Sequence, residues 1–169
     1  PQKKNYSRSL LTKINLHDEG EIKFLLKNID ENSIFIDCGA NQGFYSVPIA
    51  SHNPKIKIYA FEPSKQEMNL LKNNIRLNKF NNIITSNYAL AEKEGSFNFI
   101  DDNVENHSTK GGFIVEDNSL ENKTTLVDAI TINKFVENLQ IPNSKKLFIK
   151  IDLEGYDFNA IYGCDKIIN

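Results

Sequence analysis

One stretch constrains the fold of this chain more than any other. A short apolar strand, Ile34–Ile36, runs through Asp37 into a turn that contains Gly39 and Gly43 and then into the start of a helix. Glycine reaches positive φ and carries no Cβ, so a ligand can approach the backbone closely there. Backbone amides at a helix start also favour an anionic group. The stretch therefore predicts a nucleotide-type binding turn at the carboxyl edge of an α/β sheet.

A second strand supports this interpretation. The apolar run 57–61 ends at Glu62 and Pro63, and Glu62 lies 19 residues after Gly43. That distance accommodates one helix, and a right-handed crossover then sets the two strands side by side. A carboxylate at the end of the second strand can accept hydrogen bonds from the hydroxyls of an adenosine ribose.

Further strands are predicted from apolar runs and alternation. The segment 83–90 indicates a third strand with its outgoing loop, and 147–151 indicates a strong late strand that ends at Asp152. The run 96–100 alternates with a period of two residues, as in a half-exposed antiparallel strand, and 124–127 favours a short strand. Together these predict four parallel core strands with at least one antiparallel addition.

Helix boundaries follow from proline and capping residues. Pro48 is comfortable only in a first turn, so the helix after the glycine turn is expected to begin near Phe44 or Tyr45, or else to bend. Ser64 and Glu67 have the spacing of a capping box, which predicts a helix that begins directly after the second strand.

Composition indicates one globular domain. The chain has 169 residues, of which 40% are hydrophobic and 25% charged. We expect a polar lead-in over 1–17 and a single domain over 18–169. The formal charge of −2 gives no general attraction to nucleic acid or anionic lipid. The sequence has no apolar run of membrane-spanning length and no signal-peptide pattern, so we expect a cytoplasmic protein. The first residue is Pro rather than Met, which indicates a processed chain or part of a longer one.

The two cysteines and a long polar segment give little further information about function. Cys38 and Cys164 do not form a disulfide framework and are interpreted as small buried residues. The segment 101–122 is polar and lacks periodicity, which in a compact domain is typical of a functional lid or a disordered loop. It carries His107.

Three blocks resemble a known family. Residues 37–46, 61–63 and 150–155 resemble the signature blocks of FkbM-type S-adenosylmethionine-dependent methyltransferases, and 87–90 with 94–95 is similar to the third-strand region of that family. The resemblance covers roughly residues 20–165 in the same order. It implies an α/β, Rossmann-like class I methyltransferase fold, with a mostly parallel sheet and helices on both faces. It also implies O-methylation of a sugar, a glycan or a natural product.

The chain departs from that family in places. Pro48 interrupts the first helix, and Asp157 stands where the family often has Glu. The family normally continues past the last helix with further strands, which this chain lacks. We therefore expect C-terminal strands to be missing and the domain to be C-terminally truncated.

A methyl sulfonium donor needs its amine, carboxylate, ribose and adenine held. Asp37 is expected to accept from the amine, directly or through water, and amides near Gly39 and Asn41 to hold the carboxylate. Glu62 would bind the ribose, and residues from Asn87 to Ala89 would flank the adenine. The full set predicted to bind the cofactor is Asp37, Gly39, Ala40, Asn41, Gly43, Tyr45, Ser46, Glu62, Pro63, Asn87, Ala89 and Asp152.

Three residues are candidates for catalysis. Asp152 is the first candidate for the base that removes the acceptor hydroxyl proton, because it follows a strand whose end would lie beside the reactive end of the donor. Glu154 could orient the substrate, and His107 could be delivered by the polar segment. Glu154 could also join Asp152 around a divalent cation, but two acids at i and i+2 are a weak signal for one, so no metal ligand is assigned.

Other functions stay open. A NAD-dependent oxidoreductase would be expected to carry G-x-G-x-x-G, whereas the spacing here is Gly39-x-x-x-Gly43. A base-directed nucleic-acid methyltransferase generally carries Asp/Asn-Pro-Pro-aromatic after its fourth strand, where this chain has 152–155, Asp-Leu-Glu-Gly. A non-catalytic nucleotide-binding module with the same fold is the third alternative. We expect a small-molecule or glycan substrate and no nucleic-acid partner, and the sequence carries no sign of the oligomeric state.

Overall fold

The computed structural model describes residues 19–101, 112–115, 124–142 and 144–168. The predicted lead-in over 1–17 lies outside these ranges. The helices are α1 (Glu19–Asn28), α2 (Ser46–His52), α3 (Lys65–Asn78), α4 (Ile132–Leu139), α5 (Asp157–Tyr162) and α6 (Asp165–Ile168). The strands are β1 (Ser33–Cys38), β2 (Lys57–Phe61), β3 (Ile83–Ser86), β4 (Ala89–Leu90), β5 (Gly95–Asp101), β6 (Gly112–Val115), β7 (Thr125–Ile130) and β8 (Lys146–Ile151).

The central sheet is entirely parallel, in the order β3-β2-β1-β8. This confirms the four predicted parallel core strands. In the register of the sheet, Asp37 of β1 lies between Ala60 of β2 and Lys150 of β8. The carboxyl ends of these three strands therefore meet at one edge.

Helices cover both faces of this sheet, as predicted. Successive side chains of β1 therefore pack into two different hydrophobic clusters, one on each face. Phe35 packs with side chains of α1, α2 and α3, including Ile22, Ile49 and Leu71. Ile36 packs on the other face with α4 and α5. Both cysteines are buried and unbridged on this second face, as the sequence predicts.

The second sheet differs in part from the sequence prediction. Its order is β4-β7-β5-β6, with β7-β5 and β5-β6 antiparallel and β4-β7 parallel. The antiparallel strand predicted over 96–100 is confirmed as β5. The third-strand region, however, divides: β3 stays in the central sheet while Ala89 and Leu90 pair with β7 in the second sheet.

Two predicted helix starts are confirmed. The helix after the glycine turn begins at Ser46, so Pro48 lies in its first turn, where it blocks no intrahelical hydrogen bond. The Ser64 hydroxyl accepts from the Glu67 N–H at 3.2 Å and caps α3. Over the described ranges, no helix has the length and apolar character needed to cross a bilayer.

Candidate active site

A cavity of about 480 Å³ opens at the carboxyl edge of the central sheet. Its walls come from the turns after β1, β2 and β8, from the β3-β4 connection, and from residues of β5 and β6. The described residues that line it are Gly39, Ala40, Asn41, Phe44, Tyr45, Phe61, Glu62, Pro63, Tyr88, Ala89, Leu90, Phe99, Gly112, Phe113, Ile114, Lys150, Asp152, Leu153, Glu154 and Tyr156. The cavity thus lies between the two sheets, and both contribute to its wall.

The floor is the glycine turn. Gly39 has φ +76°, and a Cβ there would overlap the carbonyl oxygen of Asp152. The N–H groups of Gly39 and Ala40 both donate to the Phe61 carbonyl, at 3.1 and 2.8 Å. The ends of β1, β2 and β8 are therefore in direct contact, and only a residue without a side chain fits between β1 and β8.

Glu62 is held at the end of β2 by backbone amides. Its Oε2 accepts from the Asn41 N–H at 2.8 Å, and its Oε1 accepts from the Ser64 N–H at 2.9 Å. The side chain is buried, and this desolvation raises the pKa of Glu62 to about 7 although both hydrogen bonds act in the opposite direction. Because each carboxylate oxygen accepts more than one hydrogen bond, the group can still receive two hydroxyls from the cavity.

Asp37 lies beneath the cavity wall. It is fully buried, and its Oδ2 accepts from the hydroxyl and the N–H of Ser46 at 2.6 and 3.1 Å. Its Oδ1 has no hydrogen-bond partner in the described structure and lies 3.6 Å from the Lys150 Nζ. Burial raises the pKa of Asp37, while Lys150 and Ser46 counteract that effect. Asp37 thus fixes the start of α2 and faces the Lys150 ammonium.

Lys150 is a cavity residue to which the sequence analysis gave no role. Its Nζ donates to the Gly39 carbonyl at 3.0 Å, lies 3.4 Å from Asp152 Oδ2, and sits 4.9 Å from the centre of the Tyr45 ring. The side chain is 13% exposed. The sequence feature that could have identified Lys150 is its position inside a predicted apolar strand, since a lysine is rarely buried there without charged or polar partners.

The turn after β8 carries two of the three acidic residues that line the described cavity, Asp152 and Glu154. Asp152 is 64% exposed, and Glu154 has φ +51°, an uncommon conformation for a residue other than glycine. The Asp157 carboxylate accepts from the N–H groups of Leu153 and Gly155, at 2.9 and 3.2 Å, and so holds the turn. Asp157 is therefore a positioning residue that the sequence analysis noted only as a departure from the family pattern.

The structure brings most of the predicted site residues together. The cavity is lined by Gly39, Ala40, Asn41, Tyr45, Glu62, Pro63, Ala89, Asp152 and Glu154. Asp37, Gly43 and Ser46 do not line the cavity but support the turn: a Cβ at Gly43, which has φ +96°, would come within 2.9 Å of the Leu71 and Val47 side chains. Asn87 is exposed in the connection between β3 and β4. His107 lies outside the described residues. The ligand contacts of all these residues stay predictions.

Metal ligands are not clustered in the described part of the chain. Within it, no group of three or more His, Cys, Asp or Glu side chains is arranged to hold an ion. Asp152 and Glu154 both line the cavity, and the Lys150 ammonium already lies beside Asp152.

The cavity fits the adenosyl donor that the sequence predicts. It offers a buried carboxylate for a pair of hydroxyls, a glycine turn that permits close approach, and apolar and aromatic walls that include Leu90 and Tyr88. A cofactor pocket is typically mostly apolar with a few fixed polar groups. Glu62 would hold the ribose and the 39–41 turn the amino-acid end.

Known proteins match this chain over different lengths. Residues 37–169 match the methyltransferase FkbM domain. A tRNA(Phe) (4-demethylwyosine(37)-C(7)) aminocarboxypropyltransferase of Methanocaldococcus jannaschii is 34% identical over 55 residues, which are 32% of this chain and 22% of that enzyme. The chain therefore spans about a fifth of the length of this curated relative.

Solved structures with partial similarity include methyltransferases. An rRNA methylase from Streptococcus thermophilus is 20% identical with a TM-score of 0.41, over 45% of each chain. M. jannaschii TYW2, solved with AdoMet, is 30% identical with a TM-score of 0.38, over 44% of this chain and 35% of that one. A putative methyltransferase from Streptococcus mutans, solved with SAH, is 24% identical with a TM-score of 0.40, over 45% and 42%.

The family match covers most of the chain, including the glycine turn, Glu62 and the turn after β8. It agrees with the parallel central sheet with helices on both faces, which is the class I methyltransferase architecture. It also confirms the cofactor implied by the resemblance, S-adenosylmethionine. The chain belongs to the FkbM methyltransferase family.

Proposed function

We propose that this protein transfers a methyl group from S-adenosylmethionine to a hydroxyl of a sugar, a glycan or a natural product. One observation carries the proposal. Glu62, suited to bind the donor ribose, and Asp152, suited to accept a proton from the substrate, line the same cavity at the ends of β2 and β8. Both strands adjoin β1, so the two carboxylates follow neighbouring strand ends at one edge of the central sheet.

The donor side is organised by backbone and carboxylate groups of this chain. When bound, S-adenosylmethionine supplies a methyl group that is activated by the positive sulfonium. Glu62 accepts from the ribose hydroxyls, and the glycine turn holds the amino-acid end. Their main contribution is orientation, which in favourable cases supplies ~7–11 kcal/mol of barrier reduction.

The acceptor side requires a base, because a sugar hydroxyl is a poor nucleophile while it keeps its proton. Asp152 lines the cavity and is largely solvent-exposed, so its carboxylate can receive that proton. General-base help of this type contributes roughly 10²–10⁴-fold. Glu154, held in its left-handed conformation beside Asp152, would orient the substrate.

The charge of the cavity favours an uncharged acceptor over a nucleic acid. Of the described lining residues, three are acidic (Glu62, Asp152, Glu154) and one, Lys150, is basic. Phosphate backbones are bound chiefly by clusters of Lys and Arg. Some of the similar proteins are named for tRNA or rRNA, so RNA is the acceptor class that the experiment has to exclude.

The cofactor and the acceptor can be tested separately. Calorimetry should detect S-adenosylhomocysteine binding and no comparable NAD binding, since membership of a methyltransferase family disfavours the oxidoreductase alternative. Transfer of tritiated methyl should then be followed over panels of glycans, hydroxylated natural products and RNA. Labelling of RNA alone would refute the proposed acceptor. Binding of S-adenosylhomocysteine with no transfer to any panel would favour the non-catalytic module.

A further inference from the structure

Lys150 is the one positively charged side chain among the described residues of the cavity wall. It is aligned with Asp37 in the β1-β8 register, and its aliphatic part runs along the same face as Phe148. The ammonium lies between two carboxylates, with Asp37 Oδ1 at 3.6 Å below and Asp152 Oδ2 at 3.4 Å on the cavity side. Lys150 therefore lies between a fully buried carboxylate beneath the wall and a carboxylate that lines the cavity.

The contacts of Lys150 leave it able to bind a ligand. Its short hydrogen bond goes to the Gly39 carbonyl at 3.0 Å, and the Cys38 carbonyl at 3.5 Å is at the limit of hydrogen bonding. The two carboxylates lie at ion-pair distances, longer than a charge-assisted hydrogen bond. An ammonium has three N–H donors, so Lys150 can direct one of them to a cavity ligand.

We propose that Lys150 binds the α-carboxylate of the methionyl group of S-adenosylmethionine. This inference rests on the proposed function. The amino-acid end of the donor carries a carboxylate, which can pair with the Lys150 ammonium at the cavity wall. The Gly39 contact places Lys150 on the turn that receives this end of the donor, and the cavity offers no second described cation for the carboxylate.

A purely structural role is the competing explanation, because Lys150 also offsets the charge of the buried Asp37. The two roles predict different ligand dependence. A carboxylate-binding lysine discriminates ligands by that one group. A lysine that only supports the fold affects all ligands alike.

The test compares S-adenosylhomocysteine with its decarboxylated analogue, which keeps the amine and lacks only the carboxylate. Calorimetry on the wild-type protein should find the parent compound bound about tenfold more tightly, the ratio that corresponds to ~1.4 kcal/mol. Lys150→Met should abolish this preference while the analogue binds as before. Lys150→Arg should restore it, and Lys146→Met, at the exposed amino end of β8, should leave it unchanged.

Several results separate the possible failures. A Lys150→Met protein that keeps the preference, or loses affinity for both compounds equally, overturns the inference. A wild-type protein that binds neither compound refutes the proposed function instead. If Lys150→Met does not fold because Asp37 is left buried beside an apolar group, the double variant Asp37→Asn/Lys150→Met removes both charges, and the same comparison decides.

Discussion

The Asn41 N–H donates to Glu62 Oε2 at 2.8 Å and thereby joins the turn after β1 to the end of β2. Asn41 has φ +48°, a left-handed conformation that asparagine tolerates better than most residues. With Ser64 on the other oxygen, the carboxylate is oriented by two backbone groups before any ligand is present. The ribose-binding group is therefore preorganised, and its effect on affinity can be isolated.

Glu62→Gln should weaken S-adenosylhomocysteine binding by about 1–3 kcal/mol. Glutamine has one accepting oxygen, so one of the two backbone N–H groups would face an NH₂ group and the ribose would lose a charged acceptor. Calorimetry at pH 8 measures the effect. Glu67→Gln is the matched control, because Glu67 is 4% exposed and does not line the cavity. Equal affinity in wild-type and Glu62→Gln protein would remove Glu62 from the site.

Donor affinity should rise with pH through the titration of Glu62. The carboxyl has a pKa of about 7 in the folded protein, and only the ionised form offers all its oxygen lone pairs to the ribose hydroxyls. Between pH 6 and 8 the ionised fraction rises ~tenfold, so the association constant should rise by up to about the same factor. Titration at several pH values tests this, and Glu62→Gln should flatten the profile. An equally steep profile in that variant would assign the dependence to another group.

Folding stability should change with pH in the opposite direction. The folded pKa of Glu62, about 7, lies above its ordinary value of 4.5, so between these values the folded state binds more protons than the unfolded state. The stability that Glu62 protonation contributes to the folded state is full below pH 4.5 and is lost as the pH rises through 7. Its full size is about 3 kcal/mol. Urea unfolding at pH 5 and 8 measures this change, which Glu62→Gln should reduce. A variant with the wild-type change would contradict the assignment.

The sequence predicted correctly the positions of those residues that are fixed by the spacing of strands and helices along the chain. The distance from Gly43 to Glu62 leaves room for one helix, and that alone places Glu62 at the strand end beside the glycine turn. The cavity-facing position of Asp152 follows in the same way from the end of β8. The carboxyl ends of parallel strands meet at one edge of the sheet, so the positions of Glu62 and Asp152 follow from where the apolar strand runs end and from the length of chain between them.

What the sequence could not locate depends on long-range pairing and orientation. Ala89 and Leu90 look like a continuation of β3, yet they pair with β7 some 40 residues later, which builds the second sheet and the far wall of the cavity. Asp37 lies at the predicted strand end but points under the turn, where Ser46 binds it. Lys150 interrupts an apolar run, and only the β1-β8 register reveals that it faces Asp37.

Gly39→Ala should destabilise the protein far more than Gly155→Ala. Both glycines have positive φ, at +76° and +96°, so both substitutions carry the left-handed penalty of ~1–2 kcal/mol. A Cβ at Gly155 meets nothing within 4 Å, whereas one at Gly39 overlaps the Asp152 carbonyl. The difference between the two unfolding free energies, measured in urea, isolates the close approach of β1 and β8. Similar values for both variants would mean that these strand ends are not in contact.

Asp152→Asn should lower kcat by roughly 10²–10⁴-fold while S-adenosylhomocysteine affinity changes little. Asparagine keeps the size of the side chain but cannot take the proton of the acceptor hydroxyl. The ion pair with Lys150 is also lost, yet Asp152 is 64% exposed, so solvent screening limits the effect of that loss on the fold. Asp128→Asn is the control for a surface aspartate and should retain wild-type turnover; Asp128 occupies an exposed position of β7, where it accepts from the Ser96 hydroxyl. Single-turnover methyl transfer with saturating donor separates chemistry from binding. If Asp152→Asn keeps its rate while Glu154→Gln loses it, the base is Glu154, and the left-handed backbone at that residue then serves to aim its carboxylate at the acceptor.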